Sequence, residues 1–447
     1  MPHAVCLQAK TKTRNNPQLW HKQMTSNHLS IVWKIYLMLF EHHRKITMIV
    51  ATVVISIAAI FIRTIFLESV SGDMKGCLIP WFNAIKQNGG LQALSEQTGD
   101  YNLLYQTIIA LLTYIPANPI HLYKAVSIAF DFALATVVAR FCFLLASERY
   151  SASQCYAISL LAYGFILFIP TVFLNSSQWG QCDAIYSTFC IMSLLCLYRN
   201  RLMKASLYFG IALAFKLQAV FIVPFLCTFL LNYRLHAHKG FKAKDALLFI
   251  IPIMVVWLSG AVAYCYGRNP LDTFPIYFKQ IDIYHNISLN CPNFWGLFIT
   301  LPSKTKQILI NPSLAICFTV LLCGLFYTLK HKLLNNHSNF LVTATWFTWT
   351  AVMLLPKMHE RYTFMIDILL VLLSFTNKRF VKYAAISLAI NTWIYYYFFT
   401  DPLFPPLYTK IARSVIYSAA YLFFTCSLVH ASKPQESHSN LIDSTRP

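Results

Sequence analysis

The chain has 447 residues, of which 57% are hydrophobic and only 12% charged, with a formal net charge of +20. Soluble proteins carry about 25% charged residues, so a soluble globular chain is excluded and a polytopic membrane protein is expected. The positive balance does not point to nucleic acid, because Lys and Arg fall mostly in short segments between apolar runs, where they orient helices by holding basic loops on the cytoplasmic side.

Residues 1–45 are polar and basic, with Lys10, Lys12, Arg14, Lys22, Arg44 and Lys45. A cleaved signal peptide would bring its apolar core nearer the start, so this stretch reads as a retained cytoplasmic tail with Ile31–Phe40 lying along the membrane surface. Crossing about 30 Å of hydrocarbon at 1.5 Å per residue takes about twenty apolar residues, which makes Ile46–Leu67 the first span. Asp73, in the polar stretch Ser71–Trp81, is then the first acidic group on the outer side. Tyr101–Ile115 is apolar but too short to span and ends at Pro116, so the first outer loop is expected to hold surface helices.

Leu122–Leu145 returns to Glu148-Arg149, Ala157–Phe173 exits to Asn175–Asp183, and Ala184–Tyr198 re-enters to the basic loop Arg199–Lys204. Ala205–Leu231 has basic segments at both ends and Lys216 at its middle, which two short helices turning at Phe215-Lys216-Leu217 would satisfy. Leu247–Tyr266 exits, Gly267–Ile308 is a second outer segment, and Pro312–Leu329 re-enters. Phe340–Leu355 exits to Pro356–Tyr362, Thr363–Phe375 returns, Tyr383–Phe399 exits, and Ile411–Leu428 ends inside. The sum is an all-α bundle of about twelve spans, 46–430, between cytoplasmic tails 1–45 and 431–447.

The chemistry-bearing residues fall on the outer face. Asp73 reads either as a base held at a wet interface or as a helix cap. Asp100 caps the helix after it or binds sugar hydroxyls. Trp179, Gln181 and Asp183 put an indole, an amide and a carboxylate on one turn, a mixture that suits a carbohydrate as well as a membrane-interface belt. Lys357, His359 and Arg361, with Glu360 among them, form the densest outer charge cluster; they could hold a phosphate by charge-assisted bonds or simply reach for water. Asp131 and Arg140 lie within a span, where pairing with a neighbouring helix is the default. Asn175, Asn286 and Asn336 fit a sequon too short to carry weight.

The thirteen Cys are scattered, with no CxxC pair and no Cys/His cluster at zinc spacing. There is no phosphate-binding glycine loop and no DxD spacing for a metal-bound nucleotide sugar, so neither a metal nor another cofactor is expected.

With these residues the chain resembles the GT-C superfamily of polytopic glycosyltransferases that use lipid-phosphate sugars. The order of Asp73, the Trp179–Asp183 turn, Ala214–Gln218, Asn293-Phe294-Trp295 and His359-Glu360-Arg361 is similar to that in the glucosyltransferases of the dolichol pathway. Leu217 interrupts their Phe-Lys-Gln segment, and Arg361 stands where they have Lys; Leu354–Tyr362 looks closer to bacterial members.

The resemblance implies inverting transfer of a hexose (mannose, glucose or galactose) from a polyprenyl-phosphate donor to a glycan or glycolipid acceptor. The reaction would lie on the extracytoplasmic face of a bacterial plasma membrane. Asp73 would be the base, and His359, Arg361, Lys357 and Lys216 would hold the donor phosphate. Asp100, Trp179, Gln181, Asp183, Glu360, Asn293 and Trp295 would touch sugar or acceptor. A transporter or flippase of lipid-linked sugars, and a surface-glycan polymerase or ligase, are the alternatives.

Overall fold

The computed structural model describes residues 46–236, 240, 242–282, 286–400 and 407–431, so the basic tail, its surface helix Ile31–Phe40 and the C-terminal tail beyond 431 lie outside the described residues. The chain divides into two compact units, Met1–Ile57 and Ala58–Pro447, and the second carries the site. Among the described residues it is mostly helical, with one short parallel strand pair, Ser288–Leu289 beside Met358–His359.

Among the described residues five helices are long and apolar enough to cross a membrane: Ile46–Thr64, Pro119–Ala146, Leu217–His236, Ser303–Lys330 and Leu407–Val429. A sixth is added if the bent pair Ala152–Phe168 and Pro170–Trp179 is one span. That pair is bent by 53°, where Pro170 has no N–H to continue the helix and its ring crowds the turn before it. Leu103–Leu112 is short, as Tyr101–Ile115 suggested.

Other apolar runs are interrupted or short for a physical reason. Leu202–Phe215 stops at Lys216, whose backbone is extended (φ −154°, ψ 134°) before the chain turns helical again. A cation in the middle of an apolar run is costly unless it finds a partner, and the break lets Lys216 reach one. Asp131, fully buried in Pro119–Ala146, pairs with Arg63 at 2.8 Å and accepts from Ser176 Oγ at 2.5 Å, the structural pairing expected of it. Arg140, in contrast, is exposed.

The core sits around Phe340–Leu354 and Phe364–Thr376, 15 and 13 residues long and buried on nearly every side. Helices apolar all round are buried ones. Thr343, Thr345, Thr348 and Thr350 return their hydroxyls to carbonyls four residues back, which keeps polar atoms in that core satisfied.

The turn joining these two helices carries His359, Glu360 and Arg361, and three features hold it. Lys357 N–H donates to the Ile287 carbonyl at 2.8 Å, beside the Ser288–Leu289 pairing. Asn293 Nδ2 donates to the Leu355 and Val352 carbonyls at 3.2 and 3.4 Å. Trp295 Nε1 donates to the Leu354 carbonyl at 2.6 Å. Carbonyls at a helix C-terminus have no partner within the helix, and these side chains supply one.

Candidate functional site

Asp73 stands just before the helical turn Met74–Leu78. Ser71 fixes that turn: its Oγ accepts from Met74 N–H at 3.1 Å and donates to the Trp179 carbonyl at 2.9 Å. Two turns more than 100 residues apart are thereby joined. Gly180 lets the second turn take its shape, since its φ of +75° lies in the left-handed region that side chains other than glycine rarely adopt.

From this position Asp73 Oδ2 accepts three hydrogen bonds: from Gln181 Nε2 at 2.7 Å, Trp179 Nε1 at 2.9 Å and Arg361 Nη1 at 3.0 Å. Gln181 is itself oriented by Tyr101 Oη, which donates to its Oε1 at 3.2 Å. Arg361 lies over the Trp179 indole, 5.4 Å from the ring centroid, a cation–π arrangement worth more when water is excluded. Trp179 in turn stacks on Phe398 at 4.0 Å between centroids.

Behind this layer is a second, dry one. Asp183 opens the helix Asp183–Tyr198; it is ion-paired with Lys216 and accepts from Asn175 Nδ2 at 2.8 Å. Asn175 also donates to Tyr395 Oη at 3.2 Å. Arg361 bridges the layers, with Nε 3.8 Å from Asp183 Oδ2 and Nη1 3.8 Å from Glu360 Oε1. His359 Nδ1 lies 3.7 Å from Glu360 Oε2.

The charges are held strongly. Burial alone would pull the Arg361 guanidinium down, but Asp73, Asp183 and Glu360 around it outweigh burial and hold it well above the ordinary arginine value. Burial pushes the Glu360 carboxyl up, yet His359 and Arg361 bring it below the usual glutamate value. Burial drives the Tyr101 phenol well above its ordinary value, so it remains a hydrogen-bond donor at any physiological pH.

A cavity of about 360 Å³ opens on this cluster, within the range of small-molecule sites. Of the residues singled out in the sequence, Asp73, Asp100, Gln181, Lys216, His359, Glu360 and Arg361 line it. Trp179 stands behind Asp73 and supports it. Lys216 reaches the cavity already ion-paired with Asp183 rather than as an uncommitted cation.

Besides Trp179, which is fully buried, four expected contacts are not brought to the cavity wall. Asp183 is 1% exposed, and its carboxylate is taken up by Lys216 and Asn175 behind the wall. Asn293 and Trp295 are buried and spend their donors on helix-end carbonyls. Lys357, at a φ of +62°, sends Nζ to the Ile281 carbonyl at 3.0 Å.

Other wall residues carry chemistry that sequence reasoning did not assign. Tyr101, Cys77, Gln218 and Gln280 line the cavity. Tyr101 directly follows Asp100, which was the available signal. Asn175, which fits a sequon, is 1% exposed and belongs to the dry layer.

Compared with known proteins, the chain matches no family model and no curated protein.

Proposed function

We propose that this chain is an inverting, membrane-embedded hexosyltransferase of the GT-C kind, using a polyprenyl-phosphate sugar and acting on a glycan or glycolipid acceptor. The observation that carries the reading is Asp73 held by Arg361, Trp179 and Gln181 at the edge of the cavity. A carboxylate beside a guanidinium provides a proton acceptor and a phosphate ligand within one small space.

The shape of the surroundings supports the donor class. An apolar groove of about 390 Å³, walled by residues such as Leu213, Val220, Leu226 and Ile253, shares Leu217 with the cavity that holds Asp73 and Arg361. A ligand with a charged head and a long apolar tail matches that pairing.

In the proposed reaction the acceptor hydroxyl oxygen attacks the anomeric carbon from the face opposite the phosphate. The bond from that carbon to the phosphate oxygen breaks, and its electron pair leaves with the polyprenyl phosphate. Arg361 bonds the growing negative charge, His359 lies close enough to add to it, and Asp73 takes the hydroxyl proton. A phosphate leaving group needs no proton, so one carboxylate suffices where glycoside hydrolysis uses two. The Asp73–Arg361 bond gives an order to these events: donor phosphate draws Arg361 toward itself and loosens its hold on the base.

On this reading the interrupted helices complete about twelve spans with both tails cytoplasmic. The cavity then faces outward from a bacterial plasma membrane. The test is to incubate membranes containing the protein with a panel of polyprenyl-phosphate hexoses and follow loss of the sugar. Consumption of one hexose by wild type but not by Asp73→Asn supports the reading; consumption of none contradicts it. Movement of an intact donor across the bilayer without transfer would favour a flippase.

A further inference from the structure

A second polar hollow, of about 660 Å³, lies at the other ends of the helices that build the Asp73 site. The helix Asp183–Tyr198 begins beside Arg361 and ends with Tyr198 in the wall of this hollow. At 1.5 Å per residue the two are about 22 Å apart. Phe364–Thr376 runs the same way, since Arg361 precedes its first turn and Phe375 and Thr376 line the hollow at its last. An adjoining hollow of about 250 Å³ shares Tyr198 and His337 with it, so the two form one crevice.

The wall is chemically lopsided. Arg149 and Arg379 both line it, and among the described residues neither guanidinium sits in an ion pair. The one carboxylate in the wall, Glu148, is engaged by the Tyr198 hydroxyl. In the adjoining part Asn232, 6% exposed, and His236 each leave a buried polar atom, Oδ1 and Nε2, without a partner. Buried polar atoms normally find partners: the Asn232 oxygen is left for a donor such as a ligand hydroxyl and the His236 nitrogen for either a donor or an acceptor, while the exposed guanidiniums of Arg149 and Arg379, outside any ion pair, are left for an anion.

We propose that this crevice is a second binding site, for a phosphate-bearing anion whose charge is met by Arg149 and Arg379. Guanidinium forks match phosphate oxygens, and the volume fits a headgroup or a small phosphorylated molecule. The site is independent of the transferase reading. The phosphate comes either from an anionic lipid of the adjacent leaflet or from a soluble anion.

The full-length protein is placed in phosphatidylcholine nanodiscs with or without phosphatidylglycerol, and retained lipid is counted by native mass spectrometry; inorganic phosphate is titrated separately by calorimetry. Joint substitution Arg149→Gln and Arg379→Gln is expected to weaken the anion that binds by roughly tenfold or more, as two interfacial cations are removed. The Arg→Lys pair recovers most of the binding, and thermal unfolding shows that the Gln pair remains folded. Arginine-dependent retention of phosphatidylglycerol assigns the anion to the bilayer, and arginine-dependent phosphate binding assigns it to solution; either supports the site. Binding undiminished in the Gln pair, an equal loss in an Arg140→Gln control, or no binding of either anion to wild type overturns it.

Discussion

Arg361 and Asp73, 288 residues apart in the chain, meet through a 3.0 Å hydrogen bond between Nη1 and Oδ2. The contact ties the turn after the first apolar helix to the turn between the two core helices. One residue is negative, the other positive, and the cavity touches both. Replacing either changes the state of the other, which shapes every expectation below.

Arg361→Ala should reduce kcat/KM for the lipid-phosphate donor by at least about tenfold, the usual scale for a lost charge-assisted contact. Arg361→Lys should recover only part, because a point charge lacks the fork and the stacking surface over Trp179. Initial rates against donor at fixed acceptor measure this. Unchanged donor dependence in the Ala variant removes Arg361 from the phosphate role.

The residues legible in the sequence were those at the ends of apolar runs. Asp73, Gln181 and Arg361 stand out there because they sit in short stretches rich in polar residues between long apolar ones, and the Lys216 break could be read because a cation cannot stay in mid-helix unpaired. Which polar residue faces the cavity and which faces a backbone carbonyl was not legible. Asn293 and Trp295 have side chains that suit a sugar, and only the fold shows that Leu354 and Leu355 claim them. Asp367 was missed altogether: it lies inside an apolar helix, and its partners Ser387 and Asn391 come from another helix. The number of spans is likewise not settled by apolarity alone, since Phe364–Thr376 is as apolar as a span but only 13 residues long.

The Lys216–Asp183 pair should behave as structure. Removing the carboxylate leaves a buried ammonium without its counter-charge, so Asp183→Asn is expected to cost about 3–5 kcal/mol; Lys216→Met should cost less, because Arg361 stays 3.8 Å from Asp183, and the double variant should recover a substantial part of the Asp183→Asn loss. Thermal unfolding in detergent reads this directly. Additive losses in the double variant would show that the pair is not coupled.

Asn293→Ala should destabilise the protein by about 1–3 kcal/mol, because two helix-end carbonyls and the Gly296 N–H lose their partner. Transfer should fall through disorder of the His359–Arg361 turn. A variant of wild-type stability with a raised acceptor KM would instead make Asn293 a substrate ligand.

Glu360 gives the pH dependence a sign. Its folded-state value lies below the ordinary glutamate value of about 4.3, so its stabilising contribution is present above that ordinary value and is lost as pH falls through the folded value. Wild type minus Glu360→Gln, followed by unfolding between pH 7 and pH 3, should shrink on the acid side. A difference that grows as pH falls contradicts the arrangement of His359 and Arg361 around Glu360.

The most direct measurement is hexose transfer from a polyprenyl-phosphate donor by wild type and Asp73→Asn, inserted at equal levels in the same membranes. Loss of the base is expected to lower the rate by about 100-fold or more, with donor still bound, because Arg361 is then released to the phosphate. Transfer by Asp73→Asn above about a tenth of the wild-type rate would mean that some other group takes the proton.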